Sequence, residues 1–511
     1  MKKLLLTTTA IVAFAASAFA GGSSTNLTQS GTAQSADIDQ SGGIVGTVVF
    51  SQSDGAGTGN NVITIIQSGS SNQVHGLVSA NNLGGGQSGT VNTATVSQNG
   101  GSNIARLGQV GANQSIAVTQ SGSYNYAGDL IQTSAASNTA ATRNSLNLWQ
   151  YGSGSSARSF QTGSSLSATI QQGTVSASGA NLNVYNYQQG SNNSLTTTQA
   201  GTGGAIENSQ SSTYQTAGIA QTGEYGFVMN IQDTGTNNHL LVSNQGGIEN
   251  SIGNEQYGSF GHVTVNNQLG YNNGVSARQF GSGNTLTVTT QDGEGNVIVS
   301  YQSANNARLT VQSQTGDSNH IVNYQYDTSN IADVVQSGTR NTITNSQLGN
   351  SNQADLVQTG TNNTISNTQS GSNGNAEYTQ RGSGNQVTLM EQNGTYGRLS
   401  VTQDTSSLNS IVVAYQNSAA TAAAPNKITV TQSGGSGNNA YLLQGASFTS
   451  HAPDVGATTI AYTAGALGSN NTINVNQFGG GANYAAVSQV GSNNTATTVQ
   501  NGTGNRAVVR Q

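Results

Sequence analysis

Residues 358–371 read QTGTNNTISNTQSG, and this stretch decides the fold. Ile365 is the one apolar residue in its fourteen positions, while Gln358 and Gln369 stand eleven residues apart. Each glutamine is followed two positions later by a glycine, Gly360 or Gly371. With so little apolar material at so strict a spacing, polar side chains must themselves help to hold the fold together.

The stretch belongs to an internal repeat with a period of eleven residues. Counted from each Gln as position zero, Gly is usual at position two, Asn at five, an apolar residue at seven and the next Gln at eleven. The glutamines that keep the spacing without a break are Gln325, Gln336, Gln347, Gln358, Gln369 and Gln380. The asparagines at position five include Asn330, Asn341, Asn352 and Asn363.

Positions five, seven, nine and eleven share one parity, which is the pattern of a β-strand with one buried face. Gly at position two among small polar residues is typical of a tight turn. A second period of 22 residues relates Ala332, Ala354 and Ala376. We therefore predict an all-β fold, a β-solenoid of stacked ~22-residue strand–turn–strand–turn repeats forming two facing parallel sheets of the amyloid-like, cross-β type.

In such a stack, equivalent side chains form columns with a spacing of about 4.8 Å. A buried amide is costly unless its hydrogen bonds are satisfied, and a column of amides can satisfy them from one turn to the next. The glutamines and asparagines named above are therefore the predicted ladder residues. The narrow interior suits small and aliphatic side chains, and the predicted core contains Ala332, Val334, Ile343, Ala354, Leu356, Ile365, Ala376, Tyr378 and Val387.

Residues 1–20 have the features of a secretory signal peptide, with Lys2 and Lys3 before an apolar run and Ala-Phe-Ala at 18–20. Their removal leaves 13 − 2 = 11 basic residues against 19 acidic ones, a net charge of −8. This balance argues against nucleic acid and anionic membranes as partners. No later apolar stretch has spanning length, so membrane insertion is not expected. The chain has no cysteine, and a disulfide framework is excluded.

The regularity of the repeat divides the remaining chain. We predict less regular repeats at 21–66, regular repeats at 67–403, repeats interrupted by insertions at 404–476, and terminal repeats at 477–511. Both prolines, Pro425 and Pro453, fall in the insertions, and the register resumes at Ile473 and Val475. The interval still holds at the last residue, Gln511, so we expect an open final turn with no capping element.

One full unit, Gln347-Leu-Gly-Asn-Ser-Asn-Gln-Ala-Asp-Leu-Val-Gln358, resembles the curlin repeat of the secreted subunits of bacterial curli fibres. Residues 144–161 and 472–489 are similar to it, and the resemblance covers most of 29–511. It implies a secreted protein that polymerises into extracellular amyloid fibres of the biofilm matrix at the bacterial cell surface.

The resemblance also implies partners: further copies of the chain, a nucleator or other curlin-like subunit, an outer-membrane secretion pore and periplasmic helpers. The chain departs from the family pattern in carrying several times more repeats and in having only a short segment before its first repeat, at Gln29.

Two other function classes were compared with the fibre hypothesis. An enzyme on a β-helix would need carboxylates or cations clustered in one groove. The sequence predicts no catalytic, cofactor-binding or metal-binding residue, and Asp292-Gly-Glu294 lacks the remaining ligands of a calcium loop. The alternative to a fibre is a long monomeric solenoid acting as an adhesin or ice-binding-like surface, which would need regular outward columns such as Thr-x-Thr.

Three acidic residues, Asp333, Asp355 and Glu377, are also 22 residues apart, at an outward position. Like charges directly opposite each other across strands are unfavourable. The simple interpretation is that solvent and salt screen them. The alternative hypothesis is that they act as gatekeepers whose repulsion slows premature assembly.

Overall fold

A computed structural model describes residues 22–31, 33–43, 45–53, 60–79, 82–83, 86–134, 139–173, 179–407, 410–448, 462–464, 468–479 and 481–511. The predicted signal peptide and Pro453 lie outside these residues. The chain forms two compact units, Met1–Phe260 and Gly261–Gln511. Each unit is a parallel β-solenoid whose turns contribute one strand to each of two parallel sheets, here called sheet A and sheet B.

In the first unit, the two sheets take alternate strands of the chain. Sheet A contains Ser24–Ser30, Thr47–Ser53, Gln73–Ser79, Gly86–Thr90, Ile104–Ala112, Tyr126–Thr133, Ser156–Ser164, Asn183–Ser191, Ala205–Gln210, Phe227–Asp233 and Ser251–Ser259. Sheet B contains Ser35–Gly43, Val62–Ser70, Thr93–Gly101, Gln114–Ser123, Asn144–Ser153, Ser167–Gln172, Gly179–Ala180, Ser194–Gln199, Thr216–Gln221 and His239–Gln245. A short strand, Asn82–Leu83, pairs antiparallel with Gln73–Ser79, and a 3-10 turn covers Ala140–Thr142.

The second unit repeats the arrangement. Its sheet A contains Gly274–Ser282, Val297–Asn305, His320–Thr328, Thr342–Gln347, Thr364–Gln369, Gln386–Thr395, Ser410–Ala419, Asn439–Gln444, Tyr484–Gln489 and Arg506–Arg510. Its sheet B contains His262–Gln268, Thr285–Glu294, Arg308–Asp317, Ile331–Thr339, Gln353–Thr361, Asn375–Ser383, Gly397–Ser407, Asn426–Ser433, Thr472–Gly479 and Thr495–Gly502.

The register follows the predicted period. In sheet B, Gln358 pairs with Gln380, and in sheet A, Ile343 pairs with Ile365, each 22 positions later. Where one interval is twelve residues, a bulge absorbs the extra residue, as between Val311 and Ser313. The side-chain columns therefore stay aligned even where the spacing in the chain does not.

The longest insertion leaves the register intact. Ile473 and Val475 pair with Ile428 and Val430, 45 positions earlier, as the resumed pattern predicts. Part of the inserted segment forms two short antiparallel strands of its own, Ala446–Phe448 and Tyr462–Ala464. A solenoid accommodates such a segment between two strands, because the flanking strands still pair in register with the neighbouring turns.

The bends depend on glycine for a steric reason. Gly360 has a φ of +116°, in the region that favours glycine. A Cβ added there would lie 1.9 Å from the carbonyl oxygen of Gly382 in the next turn. Gly338 meets Gly360 in the same way, also at 1.9 Å. Glycine at position two therefore both makes the bend and allows the next bend to stack directly upon it.

Candidate functional site: side-chain columns and strand edges

The predicted core side chains lie between the two sheets. All nine are buried: Ala332, Val334, Ile343, Ala354, Leu356, Ile365, Ala376, Tyr378 and Val387. Tyr378 is the largest, and its hydroxyl donates a hydrogen bond across the interior to Asn367 Oδ1 at 2.9 Å. Burial without nearby charge raises the pKa of this hydroxyl well above its usual value. Side chains of sheets A and B therefore pack against each other in a shared interior.

Six predicted glutamines form two fully buried columns: Gln336, Gln358 and Gln380 in sheet B, and Gln325, Gln347 and Gln369 in sheet A. In sheet B, Gln336 Nε2 donates to Gln358 Oε1 at 2.9 Å, and Gln358 Nε2 donates to Gln380 Oε1 at 2.8 Å. Each amide thus accepts from the preceding turn and donates to the following one. We call such a column a glutamine ladder.

The second amide proton of each ladder glutamine crosses to the other sheet. Gln358 Nε2 also donates to the backbone oxygen of Thr342 at 3.0 Å, and Gln369 Nε2 donates to that of Gln353 at 3.0 Å. Both acceptors stand at the start of a strand in the opposite sheet. The ladder therefore fastens each turn to the next and also ties sheet A to sheet B. Sequence reasoning missed this second bond, because the repeat pattern does not reveal which backbone groups face the column.

The predicted asparagines at position five, Asn330, Asn341, Asn352 and Asn363, are also buried, but they bond to backbone groups. Asn341 Oδ1 accepts from the backbone N–H of Asn363 at 3.0 Å. Its Nδ2 donates to the carbonyl of Ser337 in its own bend at 2.8 Å and to that of Gly360 in the next at 2.9 Å. These side chains therefore satisfy backbone groups around the bend, in their own turn and in the next one.

A true asparagine ladder lies elsewhere, inside sheet A. Asn367 Nδ2 donates to Asn345 Oδ1, and Asn345 Nδ2 donates to Asn323 Oδ1, both at 2.7 Å. These donors point towards earlier turns, whereas those of the glutamine ladder point towards later ones. The signal in the sequence was the recurrence of Asn at position nine of alternate units.

The three acidic residues stack in adjacent turns on the outward face of sheet B. Asp333 pairs with Asp355, and Asp355 pairs with Glu377. Partial burial, and the neighbouring carboxylates of Asp333 and then Glu377, raise the pKa of the Asp355 carboxyl above its usual value. Arg308 sits at one end of the column, with Nη2 at 3.0 Å from Asp333 Oδ2. The repulsion predicted from the sequence is thus centred on Asp355.

The last two strands have one partner each among the residues that the structure describes. Thr495–Gly502 pairs with Thr472–Gly479, and Arg506–Arg510 pairs with Tyr484–Gln489. Gln489 Nε2 donates to Gln511 Oε1 at 2.8 Å, so the ladder continues to the residue directly after Arg506–Arg510. Backbone groups along an unpaired strand edge can pair with another strand.

Within the described ranges, no group of three or more His, Cys, Asp or Glu side chains is placed to hold a metal ion. No helix in the described part of the chain is long and apolar enough to cross a membrane.

Comparison with known proteins gives one family match. The model of the curlin associated repeat matches residues 89–122. No curated protein matches the chain. The matched segment runs from Gly89 to Gly122, and its glycines stack as those described above, with a Cβ on Gly100 only 1.9 Å from the Gly122 carbonyl oxygen. The match covers 34 of the 511 residues, and together with the solenoid register it supports a curlin-repeat assignment.

Proposed function

We propose that the mature chain is a secreted structural protein that self-assembles head to tail into extracellular curli-like amyloid fibres. In this proposal the fibres lie at the bacterial cell surface and serve adhesion and cohesion in a biofilm matrix. The partners are further copies of the chain, together with a nucleator or other curlin-like subunit, an outer-membrane secretion pore and periplasmic helpers. The curlin repeat and the β-solenoid fold fit a structural protein of the curli-like type.

The observation that carries the proposal is the chemical equivalence of successive turns. From Gln325 to Gln380, successive turns present the same parallel strand pairing, a buried glutamine and apolar core residues. A second copy docked on the edge of the last turn would extend the glutamine ladder in the same way as a further turn of the same chain. A contact of this head-to-tail kind does not close upon itself and grows a filament.

The direction of the ladders favours one docking orientation. In sheet A of the first unit, Gln188 Nε2 donates to Gln210 Oε1 in the next turn at 2.8 Å, while Asn208 Nδ2 donates backwards to Asn186 Oδ1 at 2.9 Å. At the last strand the asparagine position is Val509, so two copies stacked in the same direction match a donor to an acceptor in the glutamine ladder. Reversing one copy would set donor against donor, leaving buried groups unpaired.

Growth can be blocked at the last strand by a single charge. Ala507 lies on the inward face and is only partly covered, whereas Val508 points outward and is 44% exposed. Ala507→Asp places a carboxylate where a docked copy would bury it, and an unpaired buried charge is strongly unfavourable. Val508→Asp, the matched control, places the same charge in solvent.

The test follows purified mature protein by electron microscopy and fibre diffraction. We expect fibres with a 4.7–4.8 Å reflection along the axis for the unmodified chain and for Val508→Asp, and slow or absent elongation for Ala507→Asp. Equal growth of the two variants would refute docking through this edge. An unmodified chain that stays monomeric for days at high concentration would instead favour the monomeric adhesin.

A further inference from the structure

Four exposed aromatic side chains occupy a backbone conformation that does not suit them. Tyr124, Tyr214, Tyr225 and Phe260 have φ angles of 58°, 56°, 53° and 58°. They are 71%, 56%, 58% and 51% exposed, so little packing compensates the strain. All four stand at position four of a bend in the first unit, where other bends carry residues such as Asn192, Ser165 or Gly203. Asn and Gly adopt left-handed φ readily, whereas bulky residues rarely do.

Strain that nothing in the fold repays indicates a functional surface. Two of the aromatics lie along one edge of the unit, in the bends that follow sheet A. Phe260 N donates to Thr236 O at 2.9 Å, and Asn237 N donates to Thr213 O at 3.2 Å, so these bends stack in adjacent turns. Tyr214, Asn237 and Phe260 therefore occupy successive turns, with the two rings about 10 Å apart at two strand spacings. We call this edge the bend platform.

The surroundings of the bend platform are polar and nearly uncharged. The three bends read Ser-Ser-Thr-Tyr at 211–214, Asp-Thr-Gly-Thr-Asn at 233–237 and Tyr-Gly-Ser-Phe at 257–260. They contain no cation, and the one carboxylate, Asp233, accepts a hydrogen bond from the Ser211 hydroxyl. A nucleic acid would stack on such rings, but it also needs basic residues for its phosphates.

We propose that the bend platform binds a neutral, extended polysaccharide. The C–H face of a pyranose ring is apolar and packs on an aromatic ring, while its hydroxyls need amide and hydroxyl partners at the rim. An extended pyranose chain advances by close to one solenoid turn per sugar. Alternate sugars then lie on Tyr214 and Phe260, and the Asn237 amide meets the hydroxyls of the sugar between them. This binding is independent of polymerisation.

The test uses affinity electrophoresis of freshly purified, soluble mature protein in gels with and without hydroxyethyl-substituted β-1,4-glucan. The variant Tyr214→Asn/Phe260→Asn gives both positions a residue that the bends already use elsewhere. We expect the unmodified chain to be retarded and the double variant to bind roughly tenfold more weakly. The matched control, Tyr124→Asn, removes an exposed aromatic from the opposite edge and should keep full retardation.

Thermal unfolding separates binding from structure. Because Asn suits the left-handed conformation better than Tyr or Phe, the double variant should be at least as stable as the unmodified chain. Lower stability would mean that the rings pack structurally and would overturn the proposal. Retardation that is absent in the unmodified chain, or equal in the double variant, would overturn it too. The proposal would also be overturned if the double variant bound glucan normally but its fibres no longer bundled laterally. The bend platform would then bind a second copy of the chain.

Discussion

Gln358→Leu tests the glutamine ladder directly. The change keeps the approximate side-chain volume but removes the bonds that Gln358 makes to Gln336, Gln380 and Thr342 O. Two buried glutamines and one partly buried backbone carbonyl lose a hydrogen bond, and each such loss costs about 1–3 kcal/mol. Taking the lower half of that range, and allowing about 1–2 kcal/mol for the added apolar burial, leaves a net loss of about 1–5 kcal/mol.

The matched control is Gln353→Leu, on the same strand. Gln353 points outward and is exposed, so the same chemical change should alter stability by no more than about 0.5 kcal/mol. Hydrogen exchange with mass-spectrometric detection of Gln353–Thr361 measures local opening, which is the relevant quantity in a chain of repeated turns. We expect faster exchange for Gln358→Leu alone. Equal exchange in the two variants would refute the ladder as a source of stability.

A column replacement sharpens the result. In the triple variant Gln336→Leu/Gln358→Leu/Gln380→Leu, the ladder bonds within the column lose both partners together, and only the column ends and the backbone acceptors remain unpaired. Removing both partners of a bond costs less than removing one. The triple variant should therefore cost clearly less than three times the single variant, and strict additivity would contradict the pairing.

Three further outcomes are expected. Gly360→Ala should markedly lower protease resistance, because its φ is left-handed and its Cβ would collide with Gly382 O; wild-type resistance would contradict the stacked bend. The Asp355 carboxyl has a raised pKa in the fold, so its charge destabilises the fold above that pKa and is lost as the pH falls through it. Stability measured by denaturant unfolding should therefore rise towards acid pH. Asp355→Asn should abolish that rise. Ile365→Asp puts an unpaired charge into the core and should lower the free energy of unfolding by about 3–5 kcal/mol. Asn362→Asp, in the exposed part of a bend, should leave stability nearly unchanged. Equal protease sensitivity of the two variants would reject the assigned faces.

The sequence was enough to predict the solenoid because its register has only one consistent solution. A one-residue slip would turn every side chain of a strand to the other face. Ala354 and Leu356 share parity with Gln358, so burying any one of them buries the others. The 22-residue relation between Asp333 and Asp355 then fixed which outward residues lie opposite each other, and the structure pairs them so.

The sequence could not reveal contacts made between a side chain and the backbone of a different strand or bend. The bond from Gln358 to Thr342 O depends on how close the two sheets lie. The role of Asn341 depends on the position of the Gly360 carbonyl in the next turn. Arg308 reaches Asp333 along a diagonal, because its strand partner is Ile331, two residues before Asp333 on the same face. Periodicity identifies which residues share a column, but hydrogen-bond partners outside the column require coordinates.

The division between ladders and bends also indicates where this chain can acquire new properties. Interior positions are constrained by two neighbours at once, since Gln358 must match both Gln336 and Gln380. Position four of a bend bonds to its neighbours through the backbone, as Phe260 N does to Thr236 O, and so accepts Asn, Ser, Gly or an aromatic residue. Polymerisation through the ladders is then independent of polysaccharide binding at the bend platform. A variant such as Tyr214→Asn/Phe260→Asn should accordingly lose polysaccharide binding while its fibres keep the same 4.7–4.8 Å reflection, and a change in both properties together would show that the two surfaces are coupled.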